Sequence, residues 1–411
     1  MAESKGGEIG RVKKVKEHDG LSMVIDNLKT TAVKLVAYIR KTFKACANWF
    51  CGLKKGYKFL LICLLAIVLL SVAVILIAQS SLGRIDYVTE NELVIPEDIS
   101  AMVISDSDEI VSATDDIDEE EMAEIEREIF VSQVDENGLR YEEGVTNVLL
   151  IGTDNRNKKT KNSRSDALLI LSLNENSKKI VVTSIMRDTY VAIPGRNTSE
   201  KITHAHAYGG AALTKKTVEG AFGIRIDKFV EVNFYSFIDV VDALGGVTVS
   251  HITEDELEYL NYYLGEINHL TGREWQDGML PEAGDNIKLT GKQALSYARI
   301  RRVGDGDYQR TQRQRDVLTG MIRQAREANV FELIDAFNSV ADEVKTDYSE
   351  SELLKLIGNA ADYKDYEIVQ CRIPVEGSYK SGIYDGLWVL KIDFDANRKM
   401  LYSEVFDNET A

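Results

Sequence analysis

The chain has 411 residues, 44% hydrophobic and 28% charged, with only 4 prolines and 4 cysteines. That average composition excludes collagen-like, coiled-coil and wholly disordered classes, and at roughly 100–200 residues per domain it allows one large or two moderate domains. The net charge of −17 argues against a nucleic-acid binder, which carries a basic face, and cysteines outside any C-x-x-C pair exclude a disulfide scaffold and a zinc ribbon.

Charge and apolarity are spread unevenly along the chain. Residues 1–58 form a basic head rich in lysine, including Lys13, Lys14, Lys16, Lys54, Lys55 and Lys58. Residues 59–78 read FLLICLLAIVLLSVAVILIA without a charge. About 20 apolar residues rising ~1.5 Å each span a ~30 Å hydrocarbon core, so this is a transmembrane helix. A cleaved signal peptide would have a shorter apolar region near the N-terminus. From the span to Glu143 the only basic residues are Arg84, Arg127 and Arg140. The positive-inside rule therefore places the head in the cytoplasm and the rest outside, as a single-pass membrane protein.

Residues 79–143 carry carboxylate runs such as Asp115-Asp116-Ile117-Asp118-Glu119-Glu120-Glu121. Like charges repel and extend a chain, which predicts an acidic stalk with a short helix over Glu119–Phe130. From about Thr146 the texture becomes globular. Asn147–Gly152, Asp166–Leu173 and Lys179–Ile185 are continuous apolar runs, the pattern of strands buried on both faces. Helices are expected over Leu213–Phe222 and Phe234–Ala243, with strands at Lys228–Asn233 and Val247–Val249. Long amphipathic helices follow over Tyr308–Ala328 and Val330–Val344, then a strand pair Glu367–Pro374 and Trp388–Phe394. The predicted fold is an α/β layered domain, a central mixed β-sheet covered by helices on both faces, plus the N-terminal transmembrane helix. Its core spans 144–320, with 321–411 as the C-terminal part of the same extracytoplasmic domain.

The chain lacks a G-x-S-x-G elbow, an H-E-x-x-H helix and a P-loop. What stands out is a set of arginines and aspartates at the ends of the apolar runs: Asp154 and Arg156, Arg164 and Asp166, Arg187 and Asp188. Arg299, Arg301, Arg302, Asp307, Arg310 and Gln314 cluster later. A surface salt bridge is the commonest fate of any such pair. Yet loops at sheet ends host ligands in α/β folds, and planar guanidinium groups suit phosphate oxygens. Acids such as Asp154 and Asp166 suit Mg²⁺ held jointly with phosphate. The residues thus point to a membrane-anchored binder of a phosphorylated ligand outside the cytoplasm.

Six ordered blocks carry a resemblance: NVLLIGTDNR (147–156), SRSDALLILSL (163–173), SIMRDTYVAIPG (184–195), KITHAHAYGG (201–210), VEVNFYSFIDVVDALGGVTV (230–249) and LTGKQALSYARIRRVGDGDYQRTQRQRDVL (289–318). Together they resemble the LytR-CpsA-Psr family of bacterial envelope proteins, which implies that the membrane is that of a bacterial cell. The resemblance implies a hydrophobic channel for a polyprenyl chain and an arginine-lined mouth for its pyrophosphate. It implies transfer of an anionic glycopolymer, such as a teichoic acid or capsular polysaccharide, from undecaprenyl pyrophosphate to peptidoglycan, with no nucleic-acid partner. By position, Arg164, Arg187, Arg299, Arg301, Arg310 and Gln314 match the pyrophosphate-contacting residues, with Arg187, Arg299, Arg301 and Asp307 as the catalytic set. Asp154 and Asp166 match the acids that hold Mg²⁺. Met186 stands where the family usually has proline and Gln309 where it usually has glycine, and 251–284 reads as an insertion beside the site. Two other readings of the same residues are a polyprenyl-phosphate-binding regulator of the attenuator type and a polyprenyl-pyrophosphate glycan pyrophosphatase using water as acceptor.

Overall fold

In the computed structural model, the apolar runs after Thr146 become neighbouring strands of one sheet. The structure describes residues 84–88, 99–100, 102, 119–153, 163–329, 332–334, 336, 341–342, 344–359, 362–384 and 386–408. In chain order the elements are β1 (Asp86–Tyr87), α1 (Glu119–Val131), β2 (Val145–Thr153), β3 (Ser165–Asn174), β4 (Lys179–Ile185), β5 (Tyr190–Ala192), β6 (Ser199–Lys201) and α2 (His204–Phe222). Next come β7 (Lys228–Asn233), α3 (Phe234–Ala243), β8 (Val247–Ile252), α4 (Glu254–Leu270), β9 (Gly284–Leu289), α5 (Gly291–Ala298) and α6 (Asp307–Glu327). The chain continues through β10 (Lys345–Thr346), α7 (Glu350–Gly358), β11 (Glu367–Ile373), β12 (Tyr379–Tyr384), β13 (Leu387–Ile392) and α8 (Phe394–Phe406).

Seven strands form the main sheet in the order β1-β10-β7-β2-β3-β4-β11. It is mixed: β2–β3, β3–β4 and β7–β10 run antiparallel, whereas β2–β7, β4–β11 and β1–β10 run parallel. The register places Leu149 beside Ile170 and Phe229, and all three are buried on one face with Leu213, Phe222 and Val218 of α2 and Leu401 and Val405 of α8. Side chains alternate across a strand, so Leu150, Leu169 and Val230 share the opposite face. Near β4 that face is covered by Leu318 and Ile322 of α6. Over β2, β3 and β7 it lines a cavity instead. The continuous apolar runs therefore have two causes, helix packing on one face and a hollow on the other.

The segment read as an insertion forms most of a second lobe. The antiparallel β8–β9 pair, the α4 helix between them and α5 close around Val247, Val249, Leu260, Leu289, Ala294 and Tyr297. A reciprocal capping box starts α4, with Thr253 and Glu256 each bonding the other's backbone N–H, which satisfies two donors that a helix start leaves unpaired.

The described part of 79–143 departs from the stalk expectation. β1 joins the sheet edge through Asp86–Lys345 and Tyr87–Thr346. Ile125 and Ile129 of α1 are buried in the main core, a gain of up to about 3 kcal/mol for each side chain. Among the acids, Glu126 accepts from the Tyr190 hydroxyl at 2.7 Å and from the Ser199 N–H and Oγ at 2.9 and 2.8 Å. Arg196 donates to the carbonyls of Ile99, Ser100 and Met102 at 2.6–2.8 Å. Repulsion between like charges loses here to a buried stripe and specific donors. A second difference lies at the C-terminus: β11 pairs with β4 and β13 with β12, so the two expected strands do not pair with each other. No helix among the described residues is long and apolar enough to cross a membrane; the expected span 59–78 and the head 1–58 lie outside those residues.

Candidate active site

The ends of β2, β4 and β7 and the start of β3 meet at one edge of the sheet, because Thr153 lies beside both Ser165 and Asn233 and Leu169 beside Ser184. Ligands in α/β folds bind at such carboxyl ends. Arg164 precedes β3 and Arg187 follows β4. The two carbonyls flanking Arg164 are both held by the 203–206 segment: Thr203 Oγ1 donates to Ser165 O and His206 Nδ1 bonds Ser163 O, each at 2.6 Å. Arg187 lies between carboxylates, its Nη1 3.6 Å from Asp166 and its Nε 3.5 Å from Asp188. Asp188 also meets Lys201 at 3.2 Å.

The other arginines come from the second lobe and α6. Arg299 ends α5, with its guanidinium 5.4 Å above the ring of Phe234, 5.2 Å above that of Tyr263 and 3.8 Å from Glu266. Gly304 and Gly306 adopt φ of 72° and 55°, values that L side chains tolerate poorly. This turn lets the chain pass from Arg301 into α6 at Asp307. Asp307 meets Arg310 Nη2 at 2.8 Å and Arg301 Nε at 3.7 Å. Arg310 is buried, and its Nε has no hydrogen-bond partner among the described residues. An unpaired buried donor is costly, and an acceptor arriving from the cavity would satisfy it.

Most of these side chains open onto one cavity of about 790 Å³, within the range of ligand sites, while Asp307 sits behind Arg301 and Arg310, outside its lining. Arg164, Asp166, Arg187, Arg299, Arg301, Arg310 and Gln314 all line it. All six residues expected to contact pyrophosphate therefore share one mouth. Along α6 the lining continues from Arg310 and Gln314 to Val317, Leu318 and Met321, spacings of three and four that keep one helix face. Most of the rest is apolar, with Val148, Leu150, Leu169, Leu171 and Val230 from the sheet, and Ile85, Leu353 and Leu356 beyond them.

Burial drives the Asp307 carboxyl up to about 6. Arg187 and Arg301 oppose that shift, while Asp188 and Asp166 reinforce it. This is the range for a group that exchanges a proton near neutrality. For a metal the donors are sparse: no group of three or more His, Cys, Asp or Glu among the described residues is arranged to hold one. Asp166 still presents a partly exposed carboxylate in the mouth. One or two carboxylates plus phosphate oxygens is the usual share of protein ligands for Mg²⁺, so the donor chemistry fits. Asp154 and Arg156 lie outside the described residues.

Sequence reasoning missed Arg313. This buried side chain donates to Glu256 at 2.8 Å, to Ile300 O at 2.9 Å and to Val303 O at 3.1 Å. It fixes the backbone segment that presents Arg299 and Arg301 and ties it to α4. Nothing local distinguishes it from its neighbours in Arg310-Thr311-Gln312-Arg313-Gln314-Arg315, because its partner lies 57 residues away. The apolar far wall from β1, β10 and α7 was missed as well, since short elements distant in sequence leave no chemical signature.

Known proteins place this geometry. The polyisoprenyl-teichoic acid–peptidoglycan teichoic acid transferase TagU of Bacillus anthracis is 35% identical over 244 residues, 59% of this chain and 72% of that protein. Its counterpart in Bacillus licheniformis is 31% identical over 239 residues, 58% of this chain and 71% of its own length. Among solved structures, TagT of B. subtilis superposes with a TM-score of 0.51 at 28% identity, covering 67% of this chain and 97% of that one. A structure described as TagT bound to LI-WTA gives 0.52 with the same identity and coverage. The LytR_cpsA_psr family model matches residues 102–403, a stretch that includes the whole arginine-lined mouth, and the chain belongs to that family.

Proposed function

We propose that this protein is a membrane-anchored phosphotransferase that moves an anionic cell-wall glycopolymer, of the teichoic acid or capsular polysaccharide type, from undecaprenyl pyrophosphate to peptidoglycan. One observation carries the reading: a single apolar cavity ends in a mouth lined by Arg164, Arg187, Arg299, Arg301 and Arg310. The apolar part suits a polyprenyl chain, and the fixed guanidinium groups suit the diphosphate at its end. The relatives named as teichoic acid transferases agree with this chemistry.

In the reaction, a peptidoglycan hydroxyl oxygen bonds to the phosphorus next to the glycan, and the bond from that phosphorus to the bridging oxygen breaks. The hydroxyl proton passes to Asp307. Polyprenyl phosphate leaves with the bridging oxygen, and the glycan is joined by a phosphodiester. Positioning and preorganised charge suffice for phosphoryl transfer, so no serine or cysteine nucleophile is needed. Asp166, with Asp154, would hold Mg²⁺, which when bound supplies further neutralisation of diphosphate charge. The full chain, given a glycan-bearing polyprenyl pyrophosphate and peptidoglycan, should yield peptidoglycan carrying the phosphodiester-linked glycan. Glycan phosphate released only into solution would make water the acceptor and overturn transfer.

Two expectations are checked separately. Asp166→Asn keeps size but loses the charge that attracts a cation, so the Mg²⁺ concentration for half-maximal transfer should rise. Transfer indifferent to chelator in both wild type and variant would remove the metal. For topology, the lysine-rich flank before 59–78 supports a cytoplasmic N-terminus. A reporter fused after Ala411 should be active only outside the cytoplasm, and activity inside would reverse the orientation.

A further inference from the structure

The second lobe exposes aromatic rings that its own core does not need. Tyr262 is 52% exposed and Trp275 43%. Their centroids lie 6.0 Å apart at an interplanar angle of 71°. Tyr262 in turn lies 5.6 Å from Tyr263, the ring that carries the Arg299 guanidinium at 5.2 Å. An aromatic path thus runs from the cavity mouth out to an exposed indole.

That indole is held in place. It lies directly against α4 at Gly265, where even a methyl group would overlap the ring. The backbone around it is fixed by side-chain amides: Asn268 Nδ2 donates to Trp275 O at 3.3 Å and Asp277 O at 2.7 Å, and Gln293 Nε2 to Gly278 O at 2.8 Å. Asn261 exchanges two bonds of 2.9 Å with the Leu280 backbone. A loop pinned at so many points keeps its tryptophan pre-organised, which lowers the entropic cost of using it for contact. Two adjoining exposed rings beside the mouth offer an apolar contact surface for a ligand.

We infer that the exposed indole of Trp275, with Tyr262 standing edge-to-face beside it as a side wall, forms a stacking platform for a neutral pyranose ring of the glycan handled at the mouth; this rests on the transferase reading. The C–H face of a pyranose is apolar and weakly positive, which matches the negative face of an aromatic ring. The charge of the lobe selects among ligands. Residues 247–298 contain nine Asp and Glu against Arg273, Lys288 and Lys292, a net negative charge that favours an uncharged sugar here over the charged repeats of the polymer or an anionic lipid. The platform's continuity with Arg299 places such a ring within a few sugar units of the diphosphate.

The sugar can come from donor or acceptor, and binding separates them. For the full chain in detergent, affinity is compared between a short polyprenyl pyrophosphate and the same lipid bearing a neutral disaccharide. With a donor sugar on the platform, wild type prefers the sugar-bearing lipid by about three- to tenfold, the range of an aromatic contact. Trp275→Ala and Tyr262→Ala each erase most of that preference without weakening the bare lipid, and Trp275→Phe keeps part of it. With an acceptor sugar there, a soluble peptidoglycan glycan fragment alone quenches tryptophan fluorescence in wild type but not in Trp275→Phe. Equal binding of both lipids with no quenching by the fragment overturns the platform alone. Failure to bind either lipid overturns the transferase reading and the platform with it. In phosphatidylglycerol vesicles, quenching of Trp275 by brominated acyl chains would make this face a membrane contact and equally overturn the platform.

Discussion

Arg187→Ala is expected to lower kcat/KM for transfer by about 10²–10³-fold, the usual cost of removing one preorganised donor at developing charge. The side chain lies between Asp166 and Asp188, and beside Asp307 it is the leading charge holding that carboxyl down. On the proposed reading, alanine therefore removes a contact to the diphosphate and also raises the proton affinity of Asp307. Two readouts separate these effects. In the alanine variant the acid limb of the pH–rate profile moves to higher pH. Arg187→Lys restores a positive charge and returns the limb towards its wild-type position, but it leaves most of the rate lost, because a point charge does not reproduce a planar two-pronged contact. Thermal unfolding should be little changed. Near-normal turnover of the alanine variant would make Arg187 an ordinary surface pair.

The mouth was legible in the sequence because its residues sit where apolar runs stop. Arg164 and Asp166 open one strand and Arg187 closes another, and these strands are neighbours joined by short connections, so strand ends become a shared edge without any long-range pairing to guess. Arg310 and Gln314 are one helical turn apart, which fixes a common face. What stayed hidden depends on distant partners. β1 and β10 are two residues each and pair across the chain as Asp86–Lys345, too short for a periodic pattern. Glu126 reads as one more acid of a stalk until Tyr190 and Ser199 supply its hydrogen bonds, and the backbone at Ile99 as extended chain until Arg196 donates to it. The same holds for Arg313, whose role is set by Glu256. Apolar strand faces were read as helix-covered on both sides, since hydrophobicity does not distinguish a face under a helix from one lining a lipid-sized hollow.

Asp307→Asn is expected to have the largest effect, a loss of about 10²–10⁴-fold in kcat, the range for a positioned general base. The carboxyl is pushed up to about 6, by burial first, against the pull of Arg187 and Arg301. It accepts a proton only when ionised, so kcat/KM in wild type should rise with pH through about 6 and level off above it. The donor diphosphate is esterified at both ends and has no ionisation of its own there, so the limb belongs to the enzyme. Stability gives an independent check with the opposite sign. A carboxyl whose folded value is raised above its ordinary 3.8 binds more protons in the native state, so its contribution to stability is greatest below 3.8 and declines as pH rises to 6. Asparagine does not titrate. The variant should therefore gain on wild type across that window by an amount of order 2 kcal/mol, superimposed on a pH-independent penalty for leaving Arg310 without its partner at 2.8 Å. An inactive variant whose unfolding free energy, relative to wild type, stays flat between pH 4 and 6 would mean that Asp307 carries its charge throughout and serves only to hold Arg310 and Arg301. A variant that gains stability with pH and has lost the acid limb of its residual rate would identify the group that takes the acceptor's proton.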